Sequence, residues 1–168
     1  VIHYGYRDLI YPQRLNDGHK PMPLLVIGMG FGFILLNGPL NGLAVGLGRH
    51  DQAWLVDGRF LGGVALFLTG LVLNRMADQK LKLLRQANSG AYAIPRGGLY
   101  ELVSCPNYLS EILQWIGWAL ATWSVAGAAF ALFTLCNLAP RALHHHRWYR
   151  EQFPDYPPSR TALIPYVL

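Results

Sequence analysis

Residues 24–47 form an unbroken apolar run that contains no Asp, Glu, Lys or Arg. Asn37 and Asn41 are its only strongly polar side chains. A helix rises about 1.5 Å per residue, so roughly 20 apolar residues suffice to cross a hydrocarbon layer about 30 Å thick. A small water-soluble fold has few ways to bury such a run on every side. We therefore predict that residues 24–47 form a transmembrane helix.

Three more apolar blocks follow, at residues 60–73, 108–123 and 125–136. The first is short for a span, but its helical pattern continues through Asn74 and Asp78 into a basic stretch, which indicates a helix that protrudes from the bilayer. Residues 88–98 are typical of a loop. The last two blocks meet at Ser124 and form either one bent helix or two spans; their combined length favours two. The predicted fold class is all-α, a multi-span transmembrane helical bundle.

The charge content supports a membrane protein. Charged residues make up 14% of the chain, against about 25% of a typical soluble domain. The 14 Lys and Arg outnumber the nine acidic residues, but they lie between apolar blocks, as membrane flanks do, and not on a continuous surface for nucleic acid. A water-soluble helical protein is the less favoured alternative, because a small core cannot bury all of these apolar faces.

The positions of the basic residues predict the orientation. Arg14 and Lys20, the stretch between residues 75 and 96, and the region after Arg141 all face the cytoplasm if Ser124 lies on the other side. We predict a multi-pass integral membrane protein with a cytoplasmic C-terminus, in a bacterial inner membrane or a eukaryotic endoplasmic reticulum. Membrane lipid is then a partner, whereas nucleic acid and an obligate protein partner are not expected.

Polar side chains at helical spacing mark candidate binding faces. Asn107 and Glu111 are four residues apart and share one face of an apolar helix. A carboxylate inside a membrane helix costs about 2.5–3.5 kcal/mol, so it normally faces a polar partner or cavity. Asn and Glu together offer donors and acceptors that suit a carboxamide or a ribose. The alternative is that Glu111 reaches the membrane interface and contacts water.

A second face combines Asn74, Asp78 and Arg85, where the next apolar helix leaves the membrane. An amide and a carboxylate followed by a guanidinium suit a path from a ribose to a phosphate, because Arg binds phosphate with two parallel hydrogen bonds. The alternative is an ordinary solvated helix end. Taken alone, this face is weak support for a binding site.

Two further faces complete the set. Arg141, His145 and Tyr149 recur at every fourth residue, and Tyr4 and Arg7 are three residues apart. The run from His144 to His146 does not predict a metal site, since consecutive helical residues point about 100° apart. Interfacial anchoring is the alternative function of the tyrosines. The two cysteines have no metal-ligand or redox spacing.

The chain resembles the steroid 5α-reductase family. The resemblance depends on five stretches: LVSCPNYLSE (102–111), QWIGWALATWS (114–124), HHHRWY (144–149), DYPPSR (155–160) and ALIP (162–165). It extends back to about Asn74 and, more thinly, to HYGYR at residues 3–7. The combination is far more specific than any single short motif.

The resemblance implies a seven-span membrane enzyme that uses NADPH to reduce a conjugated enone such as a Δ4-3-ketosteroid, with hydride addition to the β-carbon. Residues 1–168 would then be a single membrane-embedded reductase domain that corresponds to the later spans and lacks the first two. Tyr4 matches the catalytic tyrosine at the substrate carbonyl, and Arg7 and Trp115 match substrate-pocket residues. The positions that match cofactor-binding residues are Asn74, Asp78, Arg85, Tyr92, Asn107, Glu111, Arg141, His145 and Tyr149.

The sequence departs from the family at three points. The family pairs its catalytic tyrosine with a glutamate from an earlier span, and no residues precede Val1 here. Ala93 stands where vertebrate relatives carry a basic residue near the cofactor, and Gly28 falls where some relatives place an Arg near the steroid. The alternatives are a polyprenol or enoyl-thioester reductase of the same architecture, a membrane methyltransferase that uses S-adenosylmethionine, and a non-enzymatic membrane subunit. The four polar helical faces argue against the non-enzymatic subunit, because each face carries an insertion cost that only a binding function would offset.

Overall fold

The computed structural model describes residues 23–48 and 52–168, so Tyr4 and Arg7 lie outside the described residues. These residues form four α-helices: α1 (Leu24–Gly46), α2 (Gly58–Ala87), α3 (Pro106–Thr122) and α4 (Val125–Gln152). Short 3₁₀ helices at Gln52–Val56 and Gly98–Glu101 precede α2 and α3. Within this part of the chain, the pairing of Val103 with Thr161 is an isolated parallel bridge and not a sheet. The all-α prediction is confirmed.

Three helices in the described part of the chain are long and apolar enough to cross a membrane: Ile27–Gly46 within α1, α2 and α4. The apolar side chains of α1 point outward almost without exception, and Leu24, Met29 and Leu36 are more than 65% exposed. A soluble protein rarely exposes such a continuous apolar surface, whereas lipid tails solvate it. The prediction of a multi-span membrane bundle is therefore confirmed.

Helices α2 and α3 lie in direct backbone contact because both carry glycines at their interface. A methyl group on Gly70 would lie 2.6 Å from the Ser110 carbonyl oxygen, and one on Gly63 would lie 2.7 Å from the Gly117 carbonyl oxygen. Small residues are what allow membrane helices to approach so closely. This contact sets the distance between the polar faces of the two helices.

Helices α3 and α4 are joined by two residues. Trp123 adopts a left-handed conformation (φ 44°, ψ 44°) that ends α3, and Ser124 begins α4 by accepting a hydrogen bond from the Gly127 N–H at 3.0 Å. Such a serine satisfies one of the unpaired N–H groups of a helix N-terminus. The prediction of two helices with a tight turn is confirmed, and the single bent helix is excluded.

Helix α4 continues well past the apolar block predicted at residues 125–136. It passes through Pro140 and ends at Gln152, so Arg141, His145 and Tyr149 lie on a continuous helix. A proline inside a helix removes one backbone hydrogen bond without necessarily ending the helix. The region that begins at Arg141, which the sequence predicts to face the cytoplasm, is therefore helical for its first twelve residues.

The two asparagines of α1 have a structural function. The Trp118 indole N–H donates to Asn41 Oδ1 at 2.9 Å, and the Asn41 amide donates to Asn37 Oδ1 at 3.0 Å. Phe33 stacks on Phe133 of α4, with ring centroids 4.3 Å apart. These contacts attach α1 to α3 and α4 from within the apolar layer, and they leave the rest of α1 facing outward.

Candidate functional site

A cavity of about 300 Å³ opens at the end of the bundle where α2 and α4 carry their basic residues. It lies at the lower end of the roughly 300–1,000 Å³ typical of ligand sites. Its walls come from the last turns of α2, the segment before α3, the first turn of α3 and the last turns of α4. The lining residues are Asp78, Leu81, Leu84, Arg85, Tyr92, Ala93, Ser104, Cys105, Asn107, Tyr108, His145, Trp148 and Tyr149.

The α2 wall carries a carboxylate and a guanidinium. Asp78 is buried, with 6% of its surface exposed, and Arg85 is half-buried two turns further along the same helix. One turn before Asp78, the side-chain amide of the buried Asn74 donates to the Asn107 carbonyl oxygen at 2.9 Å. Asn74 does not line the cavity, but it fixes the first turn of α3 against α2. Of the three residues predicted to share this face, Asp78 and Arg85 line the cavity and Asn74 lies behind its wall.

The α3 wall carries Asn107 at the cavity and Glu111 one turn deeper. Glu111 is 8% exposed, so the structure buries this carboxyl group within the bundle and does not direct it to water at the interface. Ser110 donates its hydroxyl to the Pro106 carbonyl oxygen at 2.7 Å, which stabilises the first turn of the helix. Asn107 and Glu111 thus extend one polar face from the cavity toward the interior.

Aromatic rings form the outer rim of the cavity. The rings of Tyr92 and Trp148 meet edge to face with centroids 4.9 Å apart. The Arg85 guanidinium carbon lies 5.1 Å from the centre of the Tyr92 ring, and Arg85 Nη2 lies 3.4 Å from the Tyr92 hydroxyl. A cation over an aromatic face is stabilised by the ring quadrupole. This rim places a cationic donor beside flat surfaces on which a planar ring can stack.

Two predicted residues lie away from this cavity. Arg141 is exposed on α4, one turn before His145. Trp115 is 7% exposed and packs in a cluster with Phe130, at a ring distance of 4.5 Å, and Phe67, at 6.1 Å. The structure therefore brings together six of the nine predicted cofactor-binding residues around one cavity, with Asn74 and Glu111 directly behind its wall.

Four other polar or aromatic residues of the lining were not predicted from the sequence: Ser104, Cys105, Tyr108 and Trp148. Tyr108 lies 5.9 Å from the His145 ring. Each of the four directly precedes or follows a selected residue, or lies within three positions of one. Proximity in sequence was thus the available signal, and Tyr108 and Trp148 are also three residues from Glu111 and His145, on the same helical faces.

Two groups near the cavity have shifted acidity. Burial raises the pKa of the Cys105 thiol to about 12. The Gly97 backbone N–H, which donates to the Glu101 carboxylate, holds the pKa of Glu101 below its usual range, and the positive charges of Arg160 and Arg96 add to this effect. Cys105 therefore contributes a neutral wall, and Glu101 remains charged at the edge of the segment before α3. No group of His, Cys, Asp or Glu in the described residues is arranged to hold a metal ion.

Comparison with known proteins identifies relatives over nearly the whole chain. A sequence model of the 3-oxo-5-alpha-steroid 4-dehydrogenase family matches residues 20–168. The chain is 46% identical over 168 residues to the 3-oxo-5-alpha-steroid 4-dehydrogenase 1 of Macaca fascicularis and to that of Homo sapiens, which in both cases covers 99% of this chain. It is 43% identical over 178 residues to a steroid 5-alpha-reductase of Arabidopsis thaliana, covering 99% of this chain and 67% of that protein. The chain spans 64% of the length of the two dehydrogenases.

Proposed function

Because the chain belongs to the 3-oxo-5-alpha-steroid 4-dehydrogenase family, we propose that it reduces the carbon–carbon double bond of a Δ4-3-ketosteroid or a similar conjugated enone, with NADPH as the reductant. The resemblance noted in the sequence is thereby confirmed at the level of the family. The observation that carries the proposal is the gathering of Asp78, Arg85, Tyr92, Asn107, His145 and Tyr149 around one cavity. We propose that residues 1–168 act as one membrane-embedded reductase domain within this architecture.

The donor set of the cavity fits a nicotinamide dinucleotide. Arg85 suits a phosphate group, since a guanidinium binds phosphate oxygens in a fork. Tyr92 and Trp148 suit the face of a purine ring. Asp78 accepts hydrogen bonds from ribose hydroxyls, and Asn107 with Glu111 suits the carboxamide of the nicotinamide. When bound, NADPH would supply the hydride that adds to the β-carbon of the enone, and a proton from water would then add at the α-carbon to complete the reduction.

The residues of the chain would orient the reaction and stabilise its charge. Glu111 is buried one turn behind Asn107, which lines the cavity. We propose that these two side chains hold a bound carboxamide in one orientation. We assign Tyr4 as the donor to the enone oxygen, because a neutral tyrosine hydroxyl stabilises the negative charge that develops there. Arg7 and Trp115 are proposed to line the substrate pocket, and Arg141 to support the cofactor from the edge of α4. Tyr4 and Arg7 remain predictions from the sequence.

The replacement Glu111→Gln tests the assignment, since it keeps the shape of the side chain and removes its charge. Purified protein in lipid nanodiscs should lose about tenfold or more of its affinity for NADP⁺, because a hydrogen bond to a charged group contributes about 1.5–3 kcal/mol. Glu151→Gln, at an exposed position near the end of α4, is the matched control and should bind as the unaltered protein does. Equal affinity in Glu111→Gln and the unaltered protein would remove Glu111 from the site.

A turnover assay separates the proposed substrate from its alternatives. Consumption of NADPH and of NADH is followed with a Δ4-3-ketosteroid, a polyprenol-type substrate and an enoyl thioester. Reduction of the ketosteroid with NADPH is the expected result. Preference for one of the other substrates would reassign the enzyme within the same architecture. Binding of S-adenosylmethionine without binding of NADP⁺ would support the methyltransferase and overturn the reductase.

A further inference from the structure

The segment after α4 lies behind the cavity wall and supports the residues that lead into α3. The Ser104 N–H donates to the Thr161 carbonyl oxygen at 2.9 Å, the Thr161 N–H donates to the Leu102 carbonyl oxygen at 3.1 Å, and the Cys105 N–H donates to the Ala162 carbonyl oxygen at 3.2 Å. Leu163 is 1% exposed and packs on Cys105. Residues 102–105, which lead into Asn107, are therefore backed by residues 161–163.

One buried hydroxyl connects three parts of the chain at this place. Ser104 Oγ lies 2.6 Å from His146 Nδ1 on α4, 2.7 Å from the Tyr156 hydroxyl and 3.2 Å from the Thr161 carbonyl oxygen. Ser104 and Tyr156 are 4% and 7% exposed. His146 and Tyr156 are 42 and 52 residues from Ser104 in sequence. The hydroxyl therefore joins the start of α3 to the end of α4 and to the segment beyond it.

The protons of this cluster can satisfy all three contacts at once. A serine hydroxyl has one proton to donate and two lone pairs that accept. The Thr161 carbonyl can only accept, so Ser104 donates to it and accepts from the Tyr156 hydroxyl and from a His146 Nδ1–H. This assignment makes Nδ1 the protonated nitrogen of His146. A buried network in which every member is satisfied is rigid, and the loss of one member is costly.

We propose that Ser104, His146 and Tyr156 are positioning residues that set the separation between the two walls of the cavity. Ser104 is three residues before Asn107, His146 follows His145, and the Tyr156 ring stacks on the Tyr149 ring at 5.4 Å. Because His146 and Tyr156 both bind the Ser104 hydroxyl, the α3 wall is fixed relative to the α4 wall. The inference rests on the proposed function, because it takes a nicotinamide dinucleotide as the ligand of the cavity.

Tyr156→Phe is the sharpest test, because it keeps the ring and its stacking on Tyr149 and removes only the hydroxyl. Ser104→Ala removes the shared partner itself. The affinity of the full chain for NADP⁺ and the kcat and KM for NADPH are measured in nanodiscs. We expect Tyr156→Phe to weaken NADP⁺ binding about three- to tenfold and Ser104→Ala to weaken it further, with kcat nearly unchanged. A fall in kcat alone, at full affinity, would contradict a positioning function.

Thr134→Val is the matched control. The Thr134 hydroxyl is buried and donates to the Phe130 carbonyl oxygen at 2.9 Å within α4, among residues that do not line the cavity. It should leave NADP⁺ affinity unchanged. If Tyr156→Phe and Ser104→Ala lower the melting temperature but bind NADP⁺ as tightly as the unaltered protein, the network is only structural and the proposal is overturned. If the unaltered protein binds no NADP⁺, the proposed function fails instead.

Discussion

At the scale of single residues, Cys105 shows how strongly the cavity wall changes side-chain chemistry. Its side chain packs with Ile112, Leu138 and Leu163, and burial raises the pKa of the thiol to about 12. An apolar environment disfavours the thiolate, which is the nucleophilic form of cysteine. Cys105 is therefore neutral and inert at physiological pH, although it lines the cavity.

We expect N-ethylmaleimide to leave Cys105 unmodified in the folded protein at about pH 8 and to modify it after denaturation in SDS. Because the pKa is raised, the labelling rate should continue to increase above the usual thiol range and toward the value of about 12. Peptide mass spectrometry measures the extent of labelling and its rate at each pH. Rapid labelling of Cys105 in the folded protein would contradict the burial of its thiol.

Trp115 is the residue whose environment differs most from what its proposed role suggests. The resemblance predicts a substrate-pocket residue, and the structure packs it between Phe130 and Phe67. We propose that one edge of the Trp115 indole contacts the substrate and that the rest of the ring packs within the bundle.

Trp115→Ala should lower the free energy of unfolding by about 3–5 kcal/mol, because it leaves a cavity where the indole packs. Thermal unfolding in detergent measures this loss. The milder change Trp115→Phe tests the substrate function: the steroid KM should rise while NADP⁺ affinity stays constant. A stable Trp115→Ala protein would show that the aromatic cluster contributes little to the bundle.

At the scale of helices, the contact between α2 and α3 determines the geometry of the site. Gly70 contacts the α3 backbone next to Ser110, and Asn74 is one turn further along α2, where it binds the Asn107 carbonyl oxygen. A shift of α2 away from α3 would therefore break this hydrogen bond and displace Asp78 from the cavity.

Gly70→Ala should destabilise the protein by about 1–3 kcal/mol, because the added methyl group meets helix backbone that cannot rotate away. We expect weaker NADP⁺ binding as well, since the same contact positions Asn74 and Asp78. Gly62→Ala is the control, because nothing lies within 4 Å of the added methyl group. Both melting temperatures are measured side by side, and equal values would show that α2 and α3 can separate without cost.

The sequence was most informative about features that repeat along one helix. The span at residues 24–47, the turn at Ser124 and the polar faces at Asn74 and Asn107 follow from apolar length and four-residue spacing. The connection of Ser104 to His146 and Tyr156 does not, because it depends on how α4 and the following segment dock. For the same reason, the packing of Trp115 against Phe130 could not be predicted from its position on α3.

At the scale of the whole molecule, one end of the bundle carries both the cavity and most of the positive charge. Arg75, Lys80, Lys82, Arg85 and Arg96 lie on or just after α2, and Arg141, Arg147 and Arg150 lie on the second half of α4. Basic residues remain on the cytoplasmic side of membrane proteins. We therefore propose that the cavity opens to the cytoplasm.

A reporter fused after Leu168 tests this orientation in a bacterial host. Green fluorescent protein fused there should fluoresce, because it folds in the cytoplasm, and alkaline phosphatase fused there should be inactive. A phosphatase inserted after Trp123, in the turn between α3 and α4, should give the opposite result. Active phosphatase at the C-terminus would reverse the proposed topology.

The two-residue turn at Trp123 and Ser124 also has a consequence for biosynthesis. Helix α3 has 17 residues, a length of about 25 Å, and it carries the carboxylate of Glu111, so it is a poor substrate for the translocon by itself. The two-residue turn keeps α3 directly next to α4, so the two helices can pack on each other as soon as both have emerged. We therefore expect the two helices to enter the membrane together as a helical hairpin, in which the apolar surface of α4 offsets the cost of inserting the Glu111 carboxyl group.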